Sequence, residues 1–403
     1  MSTIKPPPAL LRAPHRLAFL PAAVLMLLSL AGWSLLLWQR QAGHALALAV
    51  PASQAHGFLM LYGFFPLFMT GFILTAGPRW LGVPSPARPR HLPIPLLYAG
   101  GLPFWLAGLI AGSNMLLHLG WLAMSAGWAL LTLLFGQLLR QSQASDRWHA
   151  RAVLVAFILG LAGLLAAGAW LFSGSSTAWA LMRDLALWGF LLPVFITVSH
   201  RMLPFFSSTA IAPYTPWRPW SLLVALLSGS VTHGLLNALQ CPTLIVDLPM
   251  ALLCLYTSWC WQCHRSLQVR LLAMLHLAFL WLGIGFALFA LQGILQLFGQ
   301  PALGLAPLHA ITVGFFINMV LAFVSRVSLG HAGLPLEARP WLWRLYQFSQ
   351  LMALLRVLCD LLPSATAAIM LPLTAGGLAV GMLFWCRRFL PVYLLPRADG
   401  KDG

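Results

Sequence analysis

Charge is what this chain most lacks. Only 7% of its 403 residues are charged, and 7 acidic side chains stand against 23 lysines and arginines. A soluble domain carries roughly 25% charged residues. At 60% hydrophobic, this chain cannot cover a water-facing surface with polar groups, which excludes a soluble globular protein. The apolar–polar alternation of a membrane barrel strand, about ten residues long, is also missing. The apolar runs are instead continuous for about twenty residues, the length at which a helix crosses a bilayer. These absences predict an all-α membrane protein, a bundle of about twelve transmembrane helices.

Catalytic signatures are missing as well. There is no phosphate-binding glycine loop, no H-E-x-x-H and no serine-nucleophile motif. The six cysteines, Cys241, Cys254, Cys260, Cys263, Cys359 and Cys386, lie mostly within or at the ends of apolar runs, so no disulfide framework is implied. The formal charge of +16 does not point to nucleic acid, because the basic residues flank apolar runs and form no patch.

The runs place spans at 17–38, 54–77, 92–111, 114–139, 152–173, 179–201, 219–240, 243–263, 270–298, 304–326, 341–362 and 366–389. The domain reading is a cytoplasmic arm at 1–16, a single polytopic domain at 17–389 and a cytoplasmic tail at 390–403. The first run is too long for a signal-peptide core, so leader and anchor are expected to be one helix. With the N-terminus inside, 20 of the 23 basic residues fall on the cytoplasmic side, Lys5 and Lys401 among them. Only Arg40, Arg183 and Arg356 fall outside. The positive-inside rule asks for this bias, so both termini are expected in the cytoplasm.

This orientation puts four histidines in the outer half of the bilayer. His56 heads span 2 and His309 heads span 10, while His118 lies in span 4 and His233 in span 7. An ionisable group at membrane depth is costly unless partnered, and neutral imidazole ligates haem iron and copper. A histidine near the interface is also often only an interfacial polar group. For His56 the context favours more than that, since His56, Gly63 and Thr70 repeat every seven residues along one helix face. Span 10 parallels span 2: His, then Gly-Phe-Phe (63–65 and 314–316), then Arg79 or Arg326, then a Gly-x-Pro exit. The parallel hints at two six-helix halves.

Cys260-Trp261-Gln262-Cys263-His264 fits the C-x-x-C-H pattern of covalent haem attachment. It lies beside Arg265 on the expected cytoplasmic side, the wrong side for that chemistry, and reads as a chance pattern at a helix end. Arg356 and Asp360 are spaced to pair across one helical turn. Arg183 and Asp184 read as a solvated turn.

The motifs together resemble those of the NnrS family of haem- and copper-containing membrane proteins. The signature around span 10 is carried by His309-Ala310, Thr312-Val313-Gly314, Met319, Arg326-Val327, Leu329-Gly330-His331, Gly333 and Pro335. A second match runs through Gly63-Phe64, Gly71-Phe72, Leu74-Thr75-Ala76, Pro78, Trp80 and Gly82, taking in Arg79. A third is Arg201, Pro204, Phe205 and Phe206. The family's span 2 often opens H-A-H-E-M, and here Phe58 and Leu59 replace the second histidine and the glutamate. The resemblance implies a bacterial inner-membrane protein of nitric oxide metabolism or nitrosative stress, linked to denitrification. It implies a b-type haem, and copper; the side on which Cys260–His264 falls makes the haem non-covalent, and depth makes His56 and His309 the expected haem ligands and His118 and His233 the metal candidates. The expected partners are the bilayer and nitric oxide or a related nitrogen oxide, with no nucleic acid.

Two other classes stand beside this one. A haem-copper oxidase-type enzyme would place adjacent His-His pairs on a span, and none occurs. A haem-free secondary transporter suits twelve helices in two halves, but all seven acidic residues sit in loops or at span ends. Whether the chain catalyses a reaction is not legible.

Overall fold

The computed structural model describes residues 8–44 and 46–400; Lys5 and Lys401 lie outside them. The described residues form helices and no strand. Twelve helices follow the apolar runs: α1 (Pro14–Gln41), α2 (Ala52–Leu81), α3 (Arg88–Ala111), α4 (Asn114–Gln141), α5 (Trp148–Ser173), α6 (Ser176–Ala210), α7 (Trp220–Ala238), α8 (Leu244–Cys260), α9 (Arg270–Leu297), α10 (Ala306–His331), α11 (Pro340–Cys359) and α12 (Ser364–Leu394). Ten are long and apolar enough to cross a membrane; α8 is shorter and α11 carries Arg344 and Arg356. Leu133, Val155, Leu165, Val224, Leu252 and Leu383 are exposed around the bundle. In water such a belt would drive association; in a bilayer it meets acyl chains. The chain is a multi-pass membrane protein.

Two ends differ from the sequence boundaries. α1 begins at Pro14, a residue pre-set for a first helical turn, so part of the expected arm is helix. Its Arg16 is buried and donates to the Leu395 carbonyl at 2.6 Å. α12 runs to Leu394, into the expected tail.

Close helix contact is made through glycine. On α3 and α4, a Cβ at Gly101 would meet the Gly120 carbonyl oxygen at 2.6 Å, and one at Gly120 the Trp105 amide nitrogen at 2.5 Å. Both obstacles are backbone. Small residues that let backbones approach are a main source of helix association in membranes. Gly120→Leu is therefore expected to lower stability by about 1–3 kcal/mol or more. Gly100→Leu, with open space at its Cβ, should leave the melting temperature of the purified protein nearly unchanged.

The helices with the most buried apolar segments are α2 and α10, followed by α6 and α9. Three of them, α2, α6 and α10, contain a π-helical stretch: Leu59–Gly63, Leu185–Leu191 and Ala310–Ile317. π-bulges are rare and frequent at functional sites. Their local causes are legible. Pro66 lacks the N–H that would bond the Tyr62 carbonyl four residues earlier, and the Tyr98 hydroxyl donates to that carbonyl instead, at 2.7 Å. Pro193 removes a donor in the same way just after the stretch in α6. In α10 the Asn318 side-chain amide donates to the carbonyls of Val313 and Gly314 at 3.1 and 3.0 Å. Within a membrane every freed backbone group needs such a partner.

Candidate functional site: two cavities at opposite ends of the bundle

α2, α6 and α10 run between two cavities. The first has a volume of about 430 Å³ and lies where α2, α6 and α10 begin and α7, α9 and α11 end. It falls within the size of small-molecule and cofactor pockets, roughly 300–1,000 Å³. His56, His309 and His233 all line it, with Trp33, Trp179, Trp188, Phe64 and Phe289 supplying aromatic wall. All three π-stretches contribute to the lining, through Met60, Leu187 and Thr312 among others.

His56 stacks on Trp33, ring centroids 3.9 Å apart and 15° from parallel. Its Nδ1 is buried without a hydrogen-bond partner among the described residues. His309 donates from Nδ1 to the Leu305 carbonyl at 3.0 Å, one helical turn back. That bond selects the tautomer whose lone pair is on Nε2, the arrangement a metal-ligating histidine needs. Both rings and Arg356 line the same cavity.

His233 has a partner that sequence reasoning passed over. Its Nδ1 lies 2.6 Å from Oδ1 of Asp247, and both side chains are buried. Asp247 was assigned to a span end, and it does sit in the first turn of α8. The missed point is its burial, for which the one sequence signal is a lone carboxylate in an otherwise apolar Leu-Ile-Val-Asp-Leu-Pro run. Arg183 and Asp184, expected in a solvated turn, form a two-pronged ion pair at 2.9 and 3.1 Å on the cavity wall. Asp184 is buried and also accepts from Asn237 at 3.3 Å. Arg356 pairs with Asp360 at 2.7 Å, as their spacing predicts. His118 is not brought to this cavity; its ring stacks on Phe172 at 4.0 Å.

The second cavity, about 870 Å³, lies at the other end of the same helices. The three signature arginines, Arg79, Arg201 and Arg326, meet there with His331. Between the cavities lies an apolar layer of phenylalanines with a void of only about 60 Å³. Phe65 borders the layer and the first cavity, and Phe72 borders the layer and the second.

The residues of the first cavity fit a haem: two imidazoles from separate helices, one with its tautomer set, and aromatic walls for a flat macrocycle. They fit copper poorly. Among the described residues no three His, Cys, Asp or Glu side chains converge to hold a metal ion. The Cys260–His264 motif lines neither cavity, and the six cysteines are free thiols.

In comparisons with known proteins, the family model described as NnrS protein matches residues 9–397. No curated protein matches the chain.

Proposed function

The chain belongs to the NnrS family, and from that premise we propose that it is a haem-binding protein of the bacterial inner membrane, acting in nitric oxide metabolism or the nitrosative-stress response linked to denitrification. The haem site is the 430 Å³ cavity, with His309 and His56 as ligands. The observation that carries this reading is that His309 and His56, from helices far apart in sequence, open onto one aromatic-walled space. The positive-inside bias supports an orientation with that cavity toward the outer face.

When bound between His309 and His56, haem would supply a redox-active iron centre. The chain's own residues do the rest. The Leu305 carbonyl holds the His309 ring by its Nδ1–H, and Trp33 holds the His56 ring by stacking. Arg356 and Arg183 are already paired with Asp360 and Asp184 and shape the polar edge of the cavity. The phenylalanine layer keeps water from the far side out of the cavity. No step is assigned to copper, whose donor set is not assembled.

The test is the absorption spectrum and haem content of the purified protein. A Soret band with about one haem per chain is expected, and acid–acetone should strip the haem, because Cys260 and Cys263 line neither cavity. Haem that stays with the polypeptide on a denaturing gel would overturn the non-covalent assignment. A second reading, a haem-free secondary transporter, draws on the two cavities stacked along one axis. A folded, monodisperse protein that takes up no haem on reconstitution would favour it.

A further inference from the structure

We propose that the second cavity is a binding site for a phosphate-bearing anion. Its evidence is separate from that for the haem site. Five guanidinium groups line it, from five places in the chain: Arg79 at the end of α2, Arg201 in α6, Arg218 before α7, Arg326 in the last turns of α10 and Arg397 after α12. No carboxylate lines it. Asp146, outside the lining, pairs with Arg201 at 3.4 Å, and Asp399 is engaged with Arg397 at 2.6 Å. Among the described residues no acidic side chain pairs with Arg79, Arg218 or Arg326.

The positive-inside bias explains exposed arginines near the membrane edge, such as Arg79 in the last turn of α2 and Arg218 in the loop before α7. It does not explain why Arg201 and Arg326, within helices, are half-buried and aimed at a shared concavity. Both lie over aromatic faces: Arg201 over Trp80 at 4.9 Å and Arg326 over Phe206 at 4.1 Å. Stacking holds a guanidinium by its flat face and leaves the in-plane N–H fork free. Among the described residues, no hydrogen bond uses the fork of Arg326 or of Arg79. Arg201 is steadied by a relay: it donates to His149 Nδ1 at 3.4 Å, His149 Nε2 donates to His200 Nδ1 at 3.0 Å, and His200 Nε2 donates to the Pro219 carbonyl at 3.2 Å.

Like charges gathered in a partly desolvated space repel strongly and need a counter-charge. Rigid, in-plane forks match the oxygens of phosphate two at a time. The volume of about 870 Å³ admits a ligand much larger than one phosphate ion. Phe72, Phe205 and Leu336 add apolar wall, so a lipid headgroup and a soluble phosphate compound share the chemistry.

The experiment uses the full chain, delipidated in maltoside detergent, with pyrophosphate titrated by calorimetry. A second arm reconstitutes the protein in nanodiscs of phosphatidylcholine with or without phosphatidylglycerol, and measures retained phosphatidylglycerol by mass spectrometry. Wild-type protein should bind pyrophosphate, and Arg79→Gln or Arg326→Gln should each weaken it roughly tenfold, the worth of one charge-assisted bond. The double variant should not bind, while Arg40→Gln, outside the cavity, should bind as wild type. Phosphatidylglycerol that is retained, competes with pyrophosphate and is lost in the double variant identifies a lipid headgroup. Pyrophosphate binding without such retention identifies a soluble ligand. If Arg326→Gln does not fold, Arg326→Lys, which keeps the charge and loses the fork, should still bind more weakly. The site is refuted if wild-type protein binds pyrophosphate no better than the folded double variant and retains no more phosphatidylglycerol.

Discussion

Purified His309→Ala protein is expected to carry less than about a tenth of the haem of the parent, since removing even a supporting partner of a metal ligand commonly costs 10–100-fold. The His56→Ala, His309→Ala double variant is expected to purify without haem. His309 is expected to be the stronger ligand because its ring is already fixed: the Leu305 carbonyl takes Nδ1–H at 3.0 Å and leaves Nε2 free. His56 has no such partner on Nδ1 and relies on Trp33 for its orientation. His56→Ala should therefore retain part of the haem and shift the Soret band. Haem content and spectra of the single variants, beside His118→Ala and His331→Ala as controls, decide the matter. Full haem with an unchanged spectrum in folded His309→Ala protein would move the search to His233, which lines the same cavity.

The next largest effect falls on His233 and Asp247. Their contact at 2.6 Å is buried on both sides, and Oδ2 of Asp247 has no partner among the described residues. Taking away one member strands the other in a low-dielectric interior. Breaking a buried pair from one side costs about 3–5 kcal/mol, whereas replacing both members with apolar groups of similar shape is often close to neutral. His233→Ala is thus expected to lower the melting temperature most, because it leaves a carboxylate with no donor. A His233→Leu, Asp247→Leu double variant should recover much of that loss. Thermal unfolding of the four proteins, run without added haem, tests the pair apart from any cofactor. Additive losses in the double variant would show that the two residues do not depend on one another.

Much of this architecture is legible in the sequence because a membrane leaves few options. Apolar runs must be helices, and arginine placement alternates with the crossings. The residues of the His309 cavity come from helix halves, and the loops beside them, that the crossing count puts on one side. The parallel between His56–Arg79 and His309–Arg326 is also visible in sequence, and in the structure both helices carry a π-stretch and join the same two cavities. What could not be read is pairing across helices. Asp247 looks like an ordinary helix-end carboxylate until α7 brings His233 to it. Arg183 and Asp184 look solvated until Asn237 closes over them. His118 looks equivalent to His233 by depth, yet its ring turns to Phe172, because depth along a helix does not fix which face points inward.

The phenylalanine layer has an electrical consequence. Two roomy cavities in series with a thin apolar seal would, once filled with water, form a voltage divider, and most of any membrane potential would drop across the seal. A charge crossing the full potential gains about 2.3 kcal/mol per 100 mV. One that enters either cavity and stops at Phe65 or Phe72 crosses only a small part of it. Proteoliposomes clamped with a potassium diffusion potential should therefore show ligand binding in both cavities that is nearly indifferent to voltage. Replacing Phe65 and Phe72 with serine would let water into the seal, spread the field and make that binding voltage-dependent.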